Sequence, residues 1–198
     1  MGQERGCGWF VFAAVALCGA SPLSAEEAEL EDLTPEVESW VVEENERIRS
    51  QTIGGMGVLL GWSVSNMAVG VVGRSRNEGR ERYFHEMNAA WNAVNFGIGA
   101  AGMVGAIGDD PEGRSAGESL RRSHGREKLF LVNLGLNVAY MATGFGLTER
   151  GKRRDDERLE GYGASMMVQG GFLVAFDAVM YLIQRRSTRR IEDNLWSP

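Results

Sequence analysis

Four apolar runs of about twenty residues each decide what this chain can fold into. They cover residues 52–73, 84–107, 129–147 and 162–184, and none of them contains Lys or Arg. At about 1.5 Å per helical residue, each run is long enough to cross a hydrocarbon layer roughly 30 Å thick. Because lipid cannot satisfy the open backbone groups of a non-helical segment, the runs predict helices. The predicted fold is an all-α, four-helix transmembrane bundle over 52–186, with a tail over 187–198.

The first 25 residues have the layout of a signal peptide. Arg5 precedes a short apolar stretch, and the small residues Ser24 and Ala25 offer a cleavage site. If cleavage does not occur, the same segment becomes an N-terminal anchor. Cys7 and Cys18 both lie within it, so a cleaved chain would have neither a thiol nucleophile nor a Cys-ligated metal.

The segment 26–51 is strongly acidic, with ten acids and two arginines. Thr34, Pro35 and Glu36 are typical of a helix start, because they supply a capping hydroxyl, a first-turn proline and an acid near the positive helix end. The segment predicts an acidic amphipathic helix outside the cytoplasm. Its apolar face could lie on the membrane surface, although its acidity would repel anionic lipid.

The positive-inside rule favours one orientation. The connections 74–83 and 150–161 carry nine Lys/Arg in 22 residues, whereas 26–51, 108–128 and 185–198 together carry eleven in 61. The density of Lys/Arg favours cytoplasmic short connections, whereas the raw totals do not. The signal peptide and the acidic segment 26–51 decide for an extracytoplasmic N-terminus, and the prediction is a multi-pass protein of the bacterial inner membrane. Residues 108–128 form a longer connection, and the stretch GDDPEGRSAGES within it, residues 108–119, predicts a solvated turn.

Polar side chains recur at helical spacing inside the apolar runs. Two groups each share one helix face: His85, Asn88, Asn92 and Asn95 in the second run, and Asn133, Asn137 and Tyr140 in the third. The first run carries Asn66, and the fourth carries Gln169 and Asp177. An amide that faces lipid leaves its donors and acceptors unmet, so these faces should point inward and hydrogen-bond across helices.

The rise per residue places these side chains at matching heights in two layers. One layer holds Asn66, Asn88, Asn92 and Gln169; the other holds Asn133, Asn137 and Asp177; Asn95 and Tyr140 come near the middle, and His85 caps the asparagine face at the interface. Asp177 is therefore predicted to neighbour Asn133 or Asn137 and not Asn88.

Small residues spaced by four predict close helix approach. These ridges are Gly57, Gly61 and Ser65 in the first run, and Ala93, Gly97, Ala101 and Gly105 in the second. Residues 97–102 also match a G-x-G-x-x-G string, but they lie inside an apolar helix rather than after a strand. The string is therefore interpreted as packing rather than nucleotide binding.

Asp177 is the sharpest functional candidate, because a carboxyl deep in a membrane helix marks a proton or ion pathway by default. The alternative is a neutral, structural Asp held by an amide. His85 and His124 fall at opposite membrane faces, which excludes a shared metal, so no metal or cofactor is predicted. The net charge of −6 disfavours nucleic acid as a partner, and no catalytic set of side chains stands out.

The polar and aromatic pattern is similar to that of a known family. The matching positions are Gly61-Trp62, Asn66, Tyr83-Phe84-His85, Met87-Asn88, Trp91-Asn92, Asn95, Gln169-Gly170-Gly171-Phe172 and Phe176-Asp177. Together they resemble a family of uncharacterised bacterial multi-span membrane proteins, the domain of unknown function DUF6992, over about residues 45–186. The resemblance implies a four-helix membrane protein and no activity.

Three functional hypotheses follow. The leading one is a structural or accessory membrane protein, embedded in the lipid bilayer and associating with itself or with a membrane partner. The alternative is a small transporter or proton relay that uses Asp177 and the asparagine faces. A membrane enzyme ranks third, and it would need a pocket that exposes His85 or Glu149.

Overall fold

The computed structural model describes residues 35–196. Its four helices are α1 (Pro35–Arg76), α2 (Gly79–Ile107), α3 (Ala116–Arg154) and α4 (Glu157–Trp196), and the described residues contain no strand. Each helix is long and apolar enough to cross a membrane. The all-α, four-helix prediction is confirmed, whereas the signal peptide predicted over 1–25 lies outside the described residues.

Two tight turns join the helices into hairpins at one end of the bundle, the short-connection end. Residues 77–78 separate α1 from α2, and residues 155–156 separate α3 from α4. Asp155 adopts a left-handed conformation with φ 55°, and the side chain of Asp156 then caps α4 by accepting from the backbone amides of Arg158 and Leu159. Polar turn residues thus set both the length and the direction of the second hairpin.

The two hairpins pack together chiefly through α2 and α4, while α1 makes fewer contacts with α4 and α3. Residues 108–115 connect α2 to α3 at the opposite end, the long-connection end. Ser115 begins α3 there, because its hydroxyl accepts from the backbone amide of Glu118 at 3.2 Å. The N-terminal part of α1 and the C-terminal part of α4 lie at this same end.

Three helices continue past the apolar runs at the long-connection end. The acidic residues 35–51 are the first part of α1 rather than a separate surface helix, and they pack on α3 through Asn45 Nδ2, which donates to Ser119 Oγ at 2.8 Å. Ile48 and Ile191 are fully buried there. The turn predicted over 108–119 is present but shorter, because residues from Ala116 onward are helical: a helix end requires a change in backbone conformation, and charged residues alone do not impose one.

The bundle is polar inside and apolar outside. Ser63, Asn92 and Gln169 have no exposed surface, whereas Val104 is 70% exposed and Phe145 60% exposed. A water-soluble helical protein has the opposite distribution, because burial of apolar surface drives its folding. Lipid removes that driving force between helices and leaves hydrogen bonding and close packing to hold them together.

Candidate functional site

One layer of the polar interior joins three helices near the short-connection end. Asn88 on α2 lies at its centre: its Nδ2 donates to the backbone oxygen of Asn66 on α1 at 3.0 Å, and its Oδ1 accepts from Gln169 Nε2 on α4. Gln169 Oε1 in turn accepts from Trp62 Nε1 on α1 at 2.9 Å. These bonds confirm that Asn66, Asn88 and Gln169 lie at one height, but the side chain of Asn66 does not bond across helices as expected, because it donates to the backbone oxygen of Trp62 on its own helix at 3.0 Å.

Trp62 belongs to this layer although sequence reasoning did not place it among the site residues. Its indole ring stacks on Phe172 of α4, with centroids 3.9 Å apart and planes 3° from parallel. Trp62 lies one helical turn before Asn66, so the four-residue spacing that placed Asn66 on the inner face also placed Trp62 there. An aromatic ring in an apolar run gives no polar signal, which is why the residue was missed.

Two asparagines of α2 do not bond across helices as expected. Asn92 Nδ2 donates to the backbone oxygen of Asn88 on its own helix at 2.8 Å, and Asn92 Oδ1 finds no hydrogen-bond partner among the described residues. Asn95 is 5% exposed, and its Nδ2 likewise has no partner within the described part of the chain. Both side chains face inward as predicted, because the helix geometry fixes the direction that they point, whereas their partners depend on which groups lie opposite.

The second layer holds the intramembrane carboxyl group. Asn137 Nδ2 on α3 donates to Asp177 Oδ2 on α4 at 2.6 Å, and both residues are buried, at 6% and 4% exposure. The predicted neighbour of Asp177 is thereby confirmed, with the amide as the donor rather than the acid. Asn133, predicted at the same height, is half-buried, and no hydrogen bond of its side chain occurs among the described residues.

The two layers are separated along α4 and bridged by aromatic rings. Gln169 and Asp177 are eight residues apart, or about 12 Å along the helix axis. Between α2 and α3, the rings of Trp91 and Tyr140 meet edge to face with centroids 5.2 Å apart. Tyr140 therefore lies on the inner side of α3, and the ring contact adds packing energy beyond the buried area.

The two histidines lie at opposite ends of the bundle. The ring of His85 fills the space over Gly73, where a Cβ atom would collide with it. His124 Nε2 lies 2.9 Å from Glu192 Oε1, in the extension formed by α3 and α4. No group of three His, Cys, Asp or Glu side chains suited to a metal occurs within residues 35–196.

Glu86, which the sequence pattern did not single out, lies beside the first layer at the short-connection end. Glu86, on α2, accepts from Tyr162 of α4 at 2.8 Å through Oε1. Its Oε2 lies 3.0 Å from Nε of Arg74 on α1. Arg82, Glu86 and Ala90 are spaced by four and so share one face of α2. From this face the carboxylate of Glu86 reaches both α1 and α4.

The close helix contacts differ from the predicted ridges. Residues Gly57, Gly61, Ser65, Ala93, Gly97, Ala101 and Gly105 are all exposed on the outside of the bundle. A Cβ added at Gly61, Gly97 or Gly105 meets nothing within 4 Å. The backbones instead approach at other glycines, such as Gly70 against Ala89 and Gly144 against Gly163. The spacing of four identified a common face, but it could not tell which face turns inward.

Buried charges hold the extension at the long-connection end. Glu127 on α3 has a side chain only 7% exposed and pairs with Arg185 Nη1 of α4 at 3.0 Å. This contact raises the pKa of Arg185 above its ordinary value. Nearby, burial and then the charge of Arg114 lower the pKa of Arg126 to about 10. The ion pair of Glu127 and Arg185 favours the charged form of Arg185, whereas burial disfavours the charged form of Arg126.

Comparison with known proteins identifies the family of this chain but no activity. No curated protein and no solved structure matches the chain. The model of a family of unknown function, DUF6992, matches residues 58–178, which is narrower than the 45–186 inferred from the resemblance. The matched region begins in the apolar part of α1 and ends one residue after Asp177, so it contains both layers of the polar interior. The chain therefore belongs to the DUF6992 family.

Proposed function

We propose that this protein is a multi-pass membrane protein of the bacterial inner membrane that works as a structural or accessory component. The observation that carries the proposal is the inverted distribution of polarity, with amides and Asp177 inside and valines and phenylalanines outside. In the proposed orientation the short-connection end is cytoplasmic, and the extension built from α1, α3 and α4 stands on the other side. The Lys/Arg density of the two short connections supports this orientation.

The polar interior serves in this proposal to hold the helices in register. The bonds from Trp62 to Gln169, from Gln169 to Asn88 and from Asn137 to Asp177 each join two different helices. Interhelical hydrogen bonds in membranes contribute about 0.6–2 kcal/mol each. The low exposure of these side chains supports a structural role, because a transported ligand needs polar groups that it can reach.

Membrane placement is tested by labelling single cysteines introduced after Cys7 and Cys18 are replaced by Ser. In intact bacterial cells, a membrane-impermeant maleimide is expected to label Ser39→Cys, and to label Ser75→Cys only after permeabilisation. A spin label at Val138→Cys is expected to be accessible to oxygen and shielded from a water-soluble nickel reagent. Labelling of both ends from one side, or a water-exposed Val138→Cys, contradicts the proposal.

The outward ridges supply the surface for association with another membrane helix, most simply one from a second copy. Because a Cβ at Gly61 or Gly97 meets nothing, a neighbouring backbone can approach closely there. Förster transfer between labelled copies in lipid bilayers is expected to fall in the double variant Gly61→Leu, Gly97→Leu. Val179→Leu, on an exposed part of α4, is the matched control. Equal transfer in all three proteins would show that the ridges are not an interface.

The second candidate function is a proton relay through Asp177. Its supporting observation is that a carboxyl group only 4% exposed bonds to an amide in the apolar part of the bundle. In proteoliposomes with an imposed pH gradient, proton entry through the native protein that disappears in Asp177→Asn would favour the relay. A native protein without proton flux, together with unchanged assembly of Asp177→Asn, favours the structural role.

A further inference from the structure

A groove of about 740 Å³ opens on the outside of the bundle between α1 and α2. Its volume lies within the range of about 300–1,000 Å³ that is usual for small-molecule sites. Apolar side chains line most of its length, and charged or hydroxyl side chains stand at its short-connection end. The apolar residues are Met67, Val71, Ala89, Ala90 and Ala93; the polar ones are Arg74, Ser75, Arg82 and Glu86.

The groove follows from an uneven distribution of side-chain size. At Gly70 the two helices touch, since a Cβ there would meet the Ala89 side chain at 2.8 Å. Beside this contact, the alanines of α2 are too short to fill the space next to Met67 and Val71. Val71 is consequently 64% exposed. The result is an apolar channel along the helices rather than a closed helix-helix interface.

The dimensions of the groove match one leaflet of a bilayer. Arg82 and Ala93 are eleven residues apart on α2, which corresponds to about 16 Å along the helix. Half of a hydrocarbon layer is about 15 Å thick. The charged end of the groove therefore lies at the level of the headgroups, and its apolar end approaches the middle of the membrane.

The charged end of the groove carries an excess of positive charge. The carboxylate of Glu86 is already engaged by Arg74 and by the hydroxyl of Tyr162. Arg82 is exposed and has no ion-pair partner among the described residues. Two guanidinium groups thus face a single carboxylate, whereas the hydroxyl of Ser75 beside them already donates to the backbone oxygen of Val72 at 2.8 Å. Phosphate oxygens complement the two guanidinium groups.

We propose that this groove binds one phospholipid with an anionic headgroup from the leaflet at the short-connection end. Arg82, together with the outer face of Arg74, holds the phosphate, and an acyl chain lies along Val71, Met67 and Ala93. The occupant is a lipid rather than a free anion because the apolar channel continues directly from the cationic mouth. This inference rests on the proposed membrane placement of the four helices.

The test is native mass spectrometry of the full-length protein in detergent, titrated with phosphatidylglycerol or with phosphatidylcholine of the same acyl chains. The native protein is expected to retain one phosphatidylglycerol at concentrations at which phosphatidylcholine is lost. Arg82→Gln is expected to weaken phosphatidylglycerol binding about fivefold, as one cation near the lipid surface contributes. Arg153→Gln, at the same end but outside the groove, is the matched control and is expected to bind like the native protein.

A second pair of variants tests the apolar part of the groove. Ala93→Phe fills the channel and is expected to reduce the single bound phosphatidylglycerol, whereas Val179→Phe on an exposed face of α4 is expected to leave it unchanged. The unfolding temperature of each variant confirms that it is folded.

Three results would overturn the proposal: equal retention of both lipids, no effect of Arg82→Gln or Ala93→Phe, or displacement of the lipid by water-soluble glycerol phosphate. The cysteine labelling described above tests the membrane placement separately. A failure of the lipid proposal can therefore be distinguished from a failure of the membrane placement.

Discussion

Replacement of Gln169 by Leu tests whether the polar interior holds the helices together. Gln169 accepts from Trp62 Nε1 of α1 and donates to Asn88 Oδ1 of α2, so its amide joins three helices. Leu has a similar volume and no polar atoms. The substitution therefore removes two interhelical hydrogen bonds without leaving a large cavity.

The expected loss of unfolding free energy follows from these contacts. Two interhelical bonds at about 0.6–2 kcal/mol each amount to roughly 1–4 kcal/mol. The upper part of this range is expected, because the indole N–H of the half-buried Trp62 loses its acceptor in the apolar part of α1. Asn88 Oδ1 is less affected, since Asn92 Nδ2 also lies 3.4 Å from it.

Reversible unfolding in mixed micelles of mild detergent and dodecyl sulfate, followed by the fluorescence of tryptophan, measures this difference. Asn133→Leu is the matched control, because it also replaces an amide in an apolar run but removes no bond within the described chain. It is expected to change the free energy by less than about 0.5 kcal/mol, the usual range for sites without specific contacts. A Gln169→Leu protein as stable as Asn133→Leu would refute the argument that the amide layer binds the helices together.

Two further substitutions test packing and charge. A Cβ at Gly163 would collide with the backbone oxygen of Gly144, so Gly163→Ala is expected to lower the unfolding free energy by about 1–3 kcal/mol. A Cβ at Gly146 meets nothing within 4 Å, so Gly146→Ala is the control and is expected to unfold like the native protein in the same assay. Burial lowers the pKa of Arg126 to about 10, so the unfolded chain holds the proton more tightly and the stability rises as the pH increases above about 10. Near neutral pH the cost is constant, and Arg126→Gln is expected to raise the unfolding free energy by removing a buried charge and its repulsion from Arg114; a less stable variant would contradict the assigned cause.

Helical periodicity and rise per residue were sufficient to predict several contacts. Asp177 and Asn137 were expected at one height because they lie at comparable distances from the ends of antiparallel helices, and the bond between them is present. The same reasoning placed Asn88 with Gln169. These predictions succeed because a helix fixes both the direction and the height of a side chain once its ends are approximately known.

Other features depend on information that a single helix does not carry. Gly57 and Gly61 share a face, but only the positions of the other helices decide that this face turns outward. Asn92 could bond to any nearby acceptor, and the carbonyl one turn back on its own helix is always within reach. The charged ends of α3 and α4, around Arg121 and Arg190, are helical although they lie outside the apolar runs. Hydropathy indicates where an apolar run ends, but a helix can continue beyond that point.

The length of α1 joins the extension at the long-connection end to the polar interior through a single helix. Its 42 residues form one helix, about 63 Å long, which is twice the thickness of the hydrocarbon layer. About 25 Å of this rod, from Pro35 to Gln51, precedes the apolar run. This part of α1 is held against α3 by Asn45 and Ser119, and the same helix carries Trp62 into the polar interior. The extension and the amide layer are therefore joined by one continuous helix, so a shift of either is expected to move the other.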